Sequence, residues 1–157
     1  MLTVIGCGNL NRSDDGVGVI VAQELMQRNL ASPREDVCIF DAGTDGMGVM
    51  FQARGCESLI IIDASNSGSE AGAIFEVPGV ELEGKPPDSF NLHDFRWDHA
   101  LYAGRQIFKD DFPKQVSVYL IEGQSFDLGL ELSPAVQSAV SEVVSKIEAR
   151  IADYKSG

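Results

Sequence analysis

The sequence predicts a three-layer α/β/α sandwich around a mostly parallel five-stranded sheet, formed by a single domain that covers residues 1–157. Short apolar runs alternate along the chain with segments of helical periodicity. These runs are apolar throughout, which is typical of parallel strands that are covered by helices on both faces. A chain of 157 residues with 44% hydrophobic residues suits one domain with a largely aliphatic core.

The first half of the chain contains three predicted strands and two predicted helices. Residues 2–5 form an apolar run that ends at a glycine, as a buried strand does. Ser13 is a suitable N-cap for the helix that follows, which places Asp14 and Asp15 in its first turn. A second strand at 36–41, a helix at 46–53 and a third strand at 58–63 complete this half. The apolar face of the first helix consists of Val17, Ile20, Val21 and Leu25.

The second half begins with a strand at 73–77, which has no helix before it and is therefore predicted to pair antiparallel at an edge. Residues 81–90 are polar and proline-containing, which predicts a surface loop. A helix is predicted from Asn91 to about Phe108, because Asn91 and Asp94 have capping-box spacing. A fifth strand at 115–120 precedes a last helix that starts at Ser133 and Pro134. The apolar face of this last helix consists of Val136, Val140, Val143, Ile147 and Ile151.

Charge and cysteine content narrow the possible partners and compartments. The net charge is −12, from 12 basic and 24 acidic residues spread along the chain. Nucleic acids and anionic membranes require clustered Lys and Arg, so neither is expected as a partner. Cys7, Cys38 and Cys56 are widely spaced and form no Cys-x-x-Cys motif, which indicates reduced thiols in a cytoplasmic protein. The N-terminus also lacks the basic flank of a signal peptide.

Asp15, Asp63 and His93 are candidate ligands of a single metal ion. In open parallel sheets, binding sites form beyond the carboxyl ends of the strands. Asp15 lies just past the first predicted strand, Asp63 ends the third, and His93 lies near the start of a predicted helix. All three therefore belong to one edge of the sheet, although each also has an ordinary interpretation as a cap or turn residue. Two carboxylates and an imidazole are a common ligand set for a divalent transition metal.

Other residues near this edge have more open interpretations. Asp41 ends the second predicted strand and is either a turn residue or a catalytic carboxylate. His99 lies six positions after His93, about 120° around a continuous helix, and is interpreted as a surface or packing residue. Gly6-Cys7-Gly8 does not complete a dinucleotide-binding motif, because Asn11 occupies the position of the third glycine. No bound nucleotide is therefore expected.

Several short motifs occur in a fixed order along the chain. They are Gly6-Cys7-Gly8-Asn9, Asp14-Asp15-Gly16-Val17-Gly18, Asp41-Ala42-Gly43-Thr44-Asp45-Gly46-Met47, Leu59-Ile60-Ile61-Ile62-Asp63-Ala64, His93 and Leu132-Ser133-Pro134. In order and spacing they resemble the hydrogenase maturation proteases, endopeptidases that trim the large subunit of [NiFe] hydrogenases. The resemblance covers nearly the whole chain. It departs at Ala42, where the family has a glycine, and at Gln124-Ser125, where many members have a proline.

The resemblance implies that the substrate is a [NiFe] hydrogenase large-subunit precursor that already contains nickel and loses a C-terminal peptide. It also implies that Asp15, Asp63 and His93 bind this substrate-borne nickel. The metal then either polarises the scissile carbonyl and activates water, or serves only for recognition while Asp41 or another carboxylate assists the water. Neither His-Glu-x-x-His nor Gly-x-Ser-x-Gly occurs in the sequence, which disfavours common zinc and serine protease chemistry. The alternative function is a nickel-dependent checkpoint protein that binds the same precursor without cutting it.

Overall fold

A computed structural model describes residues 1–28, 36–86 and 95–156, which form a five-stranded sheet with helices on both faces. The strands are β1 (Leu2–Cys7), β2 (Val37–Gly43), β3 (Ser58–Ser65), β4 (Ile74–Pro78) and β5 (Gln115–Glu122). Their order across the sheet is β2-β1-β3-β5-β4. All neighbours are parallel except β4, which pairs antiparallel with β5 at one edge. The predicted fold class and the antiparallel edge strand are both confirmed.

Within the described residues, four α-helices cover the sheet: α1 (Val17–Gln27), α2 (Gly46–Ala53), α3 (Trp97–Phe108) and α4 (Pro134–Ser156). Helices α1 and α4 pack with Leu2 and Val4 in one apolar cluster on one face of the sheet. Helices α2 and α3 pack with Ile5 and Cys7 in a second cluster on the other face. This alternation follows from strand geometry, because successive side chains of β1 point to opposite faces.

The predicted apolar helix faces are buried in the structure. Val17, Val21 and Leu25 of α1 are fully buried, and Ile20 packs against the same cluster while partly exposed. The five apolar positions predicted for α4 all lie in that cluster. The 3.6-residue periodicity of these segments therefore identified their buried faces correctly. None of the helices in the described ranges combines the length and apolar character needed to cross a bilayer.

The start of α1 differs from the prediction. Ser13 does not cap this helix, because a 3₁₀ turn (Ser13–Gly16) precedes it and Gly16 occupies the N-cap position. Ser13 has a φ of 52°, and its hydroxyl donates to the carbonyl oxygen of Asp127. Its backbone N–H donates to the carbonyl oxygen of Gly129. Bonds to a distant loop thus override the local capping preference, and Asp15 lies in the 3₁₀ turn rather than in α1.

The start of α3 also differs from the prediction, since the helix begins at Trp97 rather than at Asn91. Phe95 and Arg96 are not helical, and the predicted positions Asn91, His93 and Asp94 lie outside the described residues. The backbone N–H of Arg96 donates to Nδ1 of His99 at 3.3 Å. Arg96 is therefore the N-cap residue and His99 accepts its backbone N–H, a capping contact that explains why the helix starts at Trp97. This later start also removes the basis for comparing His93 and His99 by their angle around one helix.

Candidate functional site

Asp15 and Asp63 line the same cavity at the carboxyl edge of the parallel strands. The strand register produces this arrangement, because Gly6 of β1 is level with Asp41 of β2 and Ile62 of β3. The residues that follow each strand therefore emerge at one edge, as predicted for this type of sheet. The cavity has a volume of about 220 Å³. Its other lining residues are Cys7, Gly8, Gly43, Thr44, Asp45, Gly46, Val49, Phe95, Arg96 and Trp97.

Asp63 is a buried carboxylate, with only 5% of the residue exposed. Its Oδ2 accepts a hydrogen bond from Nε1 of Trp97 at 2.7 Å, and its Oδ1 accepts one from the N–H of Ala64 at 2.8 Å. The pKa of Asp63 is raised to about 7, because burial and, to a smaller extent, the negative charge of Asp15 outweigh the opposing effects of the two hydrogen bonds and Arg96. Asp63 is therefore a group that a nearby cation would stabilise strongly in its ionised form.

Asp15 is half-buried, and its backbone lies in close contact with the backbone of Gly8. Its Oδ2 accepts a hydrogen bond from the N–H of Asn9 at 3.0 Å. Gly8 has a φ of +133°, and a Cβ at this position would lie 1.9 Å from the carbonyl oxygen of Asp15 and 3.5 Å from Oδ1 of Asp63. Only glycine fits there, so the loop after β1 can pass between the two acids.

Asp14 has a different role from its neighbour, and the sequence did not reveal it. This residue is completely buried, and its carboxylate accepts four hydrogen bonds. The donors are the N–H groups of Gln124, Ser125 and Ser133 and the hydroxyl of Ser133, at 2.7–3.0 Å. Burial raises the pKa of Asp14, but these hydrogen bonds outweigh burial, and the net pKa is lowered. Asp14 thus ties the loop after β5 to the loop that carries Asp15.

Asp41 does not line the cavity that contains Asp15 and Asp63. It is exposed, and it lines a neighbouring groove with Asn9 and Val19. Its Oδ2 accepts a hydrogen bond from Nε2 of Gln23 at 3.2 Å, and its Oδ1 accepts one from the N–H of Gly43 at 3.1 Å. Its carboxylate is thus held on the α1 side of the loop, and a catalytic role for Asp41 stays a prediction.

His93 lies outside the described residues, so its predicted place beside the two aspartates stays a prediction as well. Within residues 1–28, 36–86 and 95–156, no group of three His, Cys, Asp or Glu side chains is arranged to hold a metal ion. The structure therefore brings together two of the three predicted ligands, Asp15 and Asp63.

Arg96 and Trp97 belong to this site but had no signal in the sequence. Nη2 of Arg96 lies 3.8 Å from Oδ2 of Asp63, and its side chain is 66% exposed. Trp97 is buried and holds Asp63 through its indole N–H. Both residues lie immediately before or at the first turn of α3, which points them toward the strand edge. Their place in the site follows from the start of α3 at Trp97, which the sequence did not predict.

Cys7 lines the cavity but is unsuited to act as a nucleophile. The residue is buried at the end of β1. Burial raises the pKa of its thiol well above the ordinary value, and the negative charges of Asp63 and Asp41 raise it further against the opposing effect of Arg96. The thiol is therefore protonated at neutral pH, and thiolate chemistry is disfavoured.

The fold is a mostly parallel α/β sheet in which two carboxylates line one cavity at the carboxyl edge of the strands. The family model of the hydrogenase maturation proteases (HycI) matches residues 19–150, and the chain belongs to this family. The protein is therefore a protease, a hydrolase that acts in hydrogenase maturation.

Individual relatives agree with this classification. The chain is 34% identical over 144 residues to the hydrogenase expression/formation protein HupD of Bradyrhizobium diazoefficiens, a match that covers 89% of the chain and 72% of the relative. It is 26% identical over 151 residues to the hydrogenase 2 maturation protease of Escherichia coli, covering 96% of the chain and 90% of the relative.

Solved structures share the fold. The hydrogenase maturating endopeptidase HybD of E. coli superposes with a TM-score of 0.79 at 24% identity, covering 97% of this chain and 92% of that chain. The [NiFe] hydrogenase maturation protease HybD of Thermococcus kodakarensis gives a TM-score of 0.75 at 21% identity, covering 96% of this chain and 98% of that chain.

Proposed function

We propose that this protein is a cytoplasmic endopeptidase that removes the C-terminal peptide from a nickel-loaded [NiFe] hydrogenase large-subunit precursor. The observation that carries the proposal is the meeting of Asp15 and Asp63 in one cavity of a hydrogenase maturation protease. In this proposal, the nickel belongs to the substrate and is bound during recognition by Asp15, Asp63 and His93.

The chemistry of the two described acids supports a cation at this position. Each carboxylate oxygen has two lone pairs, and each oxygen of Asp63 accepts one hydrogen bond, which leaves lone pairs for a metal. Burial and the charge of Asp15 both disfavour ionised Asp63 in the absence of a cation. A divalent ion beside Asp63 would favour its ionised form and offset the effect of its burial.

Peptide hydrolysis at this site requires water to attack the scissile carbonyl carbon, after which the C–N bond breaks and the leaving amine takes a proton. The substrate's nickel can supply the Lewis acidity for this attack. The chain's own residues bind and orient the nickel, and Asp41 is the candidate carboxylate for assisting the water if the metal serves only for recognition. Arg96 is the cationic side chain among the described residues that line the cavity, and its positive charge can stabilise negative charge on the attacked carbonyl oxygen.

Incubation of the purified protein with nickel-loaded and nickel-free precursor tests the proposal, with the products weighed by mass spectrometry. The expected result is loss of a C-terminal peptide from the nickel-loaded form only. Asp15→Asn should stop this cleavage while the protein stays folded. Asp127→Asn is a matched control, because Asp127 is exposed and contacts Ser13 through its backbone carbonyl. Stable binding without cleavage would instead indicate the checkpoint protein, and equal cleavage of both forms would contradict nickel recognition.

A further inference from the structure

A second and larger cavity adjoins the one that contains Asp63. It has a volume of about 560 Å³, and it shares Asp15, Arg96 and Trp97 with the first cavity as a common wall. The rest of its lining comes from the end of β3, the segment after β4, α3 and the end of β5 with its following loop. These residues are Ala64, Ser65, Asn66, Leu82, Asp98, Leu120 and Phe126.

We propose that the two cavities form one substrate cleft and that the second cavity binds an apolar side chain next to the scissile bond. An endopeptidase must hold polypeptide on both sides of the bond that it cuts. Asp15 lines both cavities, and Asp63, the other acid of the proposed site, lines the first. A chain that crosses the shared wall would place one flanking residue in each cavity. This inference rests on the proposed function, and it names Phe126 and Leu82 as the residues that determine specificity.

The second cavity has polar lining residues, among them Asn66, Arg96 and Asp98, and an apolar wall on which an apolar side chain can pack. Leu82, Leu120 and Phe126 are each partly exposed, so their side chains present apolar surface to the cavity. The hydroxyl of Ser65 is already used, because it donates to Glu122 at 2.8 Å. Burial of a substrate methyl or larger apolar group against these three side chains would remove apolar surface from water.

Phe126 is held in place before any substrate arrives. The N–H groups of Gln124 and Ser125 both donate to the Asp14 carboxylate, which fixes the backbone just before the ring. The ring packs over Gly123, where a Cβ would come within 2.5 Å of it. A rigid aromatic side chain contributes contact area with little loss of conformational entropy on binding. The same carboxylate also ties this loop to the loop of Asp15, so the subsite has a fixed position relative to the reactive acids.

Steady-state cleavage of the nickel-loaded precursor by Phe126→Ala tests the inference. We expect KM to rise about tenfold, equivalent to about 1.4 kcal/mol, while kcat changes by less than about twofold, since binding at a subsite is lost and the reactive acids are untouched. Leu82→Ala, on a different wall of the cavity, should behave in the same way and serves if Phe126→Ala does not fold. Leu128→Ala is the control, because Leu128 lies in the same loop, is 77% exposed and does not line either cavity.

Alanine substitutions in the substrate, placed singly on either side of the cut, identify the occupant of the second cavity. With the wild-type enzyme, one position should raise KM, and with Phe126→Ala the same substitution should have little further effect. Unchanged KM in both Phe126→Ala and Leu82→Ala, or equal and additive losses at every substrate position, would overturn the subsite. Wild-type enzyme that cleaves no precursor would instead overturn the proposed function and the subsite with it.

Discussion

Substitution of Asp14 by asparagine should destabilise the protein strongly, whereas the same change at its neighbour Asp15 should have little effect on stability. The Asp14 carboxylate is completely buried and meets only donors: one N–H at Oδ1, and two N–H groups and a hydroxyl at Oδ2. An asparagine amide has one acceptor oxygen and one NH₂ group. In either orientation of the amide, its NH₂ group therefore faces at least one backbone N–H, so that two donors meet without an acceptor.

The magnitude follows from these contacts. The better orientation keeps the three bonds at Oδ2 and loses the bond from the N–H of Ser133. A hydrogen bond to a charged group contributes roughly 1.5–3 kcal/mol, and the three retained bonds weaken when the acceptor becomes neutral. We therefore expect a loss of about 3 kcal/mol in the free energy of unfolding, or a fall of roughly 6–12 °C in Tm for a chain of this length.

Thermal and urea unfolding of the wild type, Asp14→Asn and Asp15→Asn measure this difference. Asp15 accepts one hydrogen bond, from the N–H of Asn9, which an asparagine oxygen can also accept. Asp15→Asn should therefore change the unfolding free energy by less than about 1 kcal/mol. If Asp14→Asn melts within about 2 °C of the wild type, the carboxylate does not hold the two loops together and the assignment of Asp14 is wrong.

The pH dependence of stability gives an independent measure of the same carboxylate. The pKa of Asp14 is lowered in the folded state because its hydrogen bonds outweigh burial. The unfolded chain therefore binds its proton more readily, and the stabilisation is present above the unfolded pKa of about 3.9. It is lost as the pH falls from there through the lower folded pKa. The difference in unfolding free energy between the wild type and Asp14→Asn should shrink over this acidic range, and a constant difference would contradict the assignment.

Three further substitutions test the site itself. His93→Ala should abolish the binding of nickel measured by calorimetric titration, and unchanged binding would indicate another ligand set. Asp41→Asn should leave nickel-dependent docking of the precursor intact. Loss of cleavage in this variant would show that Asp41 assists the attacking water, and cleavage at the wild-type rate would leave the metal as the activator. Gly8→Ala should abolish cleavage and lower Tm, because its Cβ would lie 1.9 Å from the carbonyl oxygen of Asp15; full activity in this variant would show that the two acids need not be held in this geometry.

The sequence alone determined the layered α/β architecture and the position of two candidate ligands. Apolar runs and helical periodicity are local properties, and they identified the strands, the buried faces of α1 and α4, and the antiparallel edge strand. The rule that parallel strands end at one edge predicted that Asp15 and Asp63 lie at the same edge, and both line one cavity in the structure. Their role as ligands stays a prediction. The family was also recognisable from the order of its short motifs.

The tertiary structure decided what depends on contacts between distant parts of the chain. Ser13 is a good local cap, yet its bonds to Asp127 and Gly129 draw it into a left-handed conformation and a 3₁₀ turn. Asp14 and Asp15 are adjacent and chemically identical in the sequence. The donors that make one of them a buried structural carboxylate lie 110 to 119 residues away, so no local pattern could distinguish it from the acid that lines the cavity.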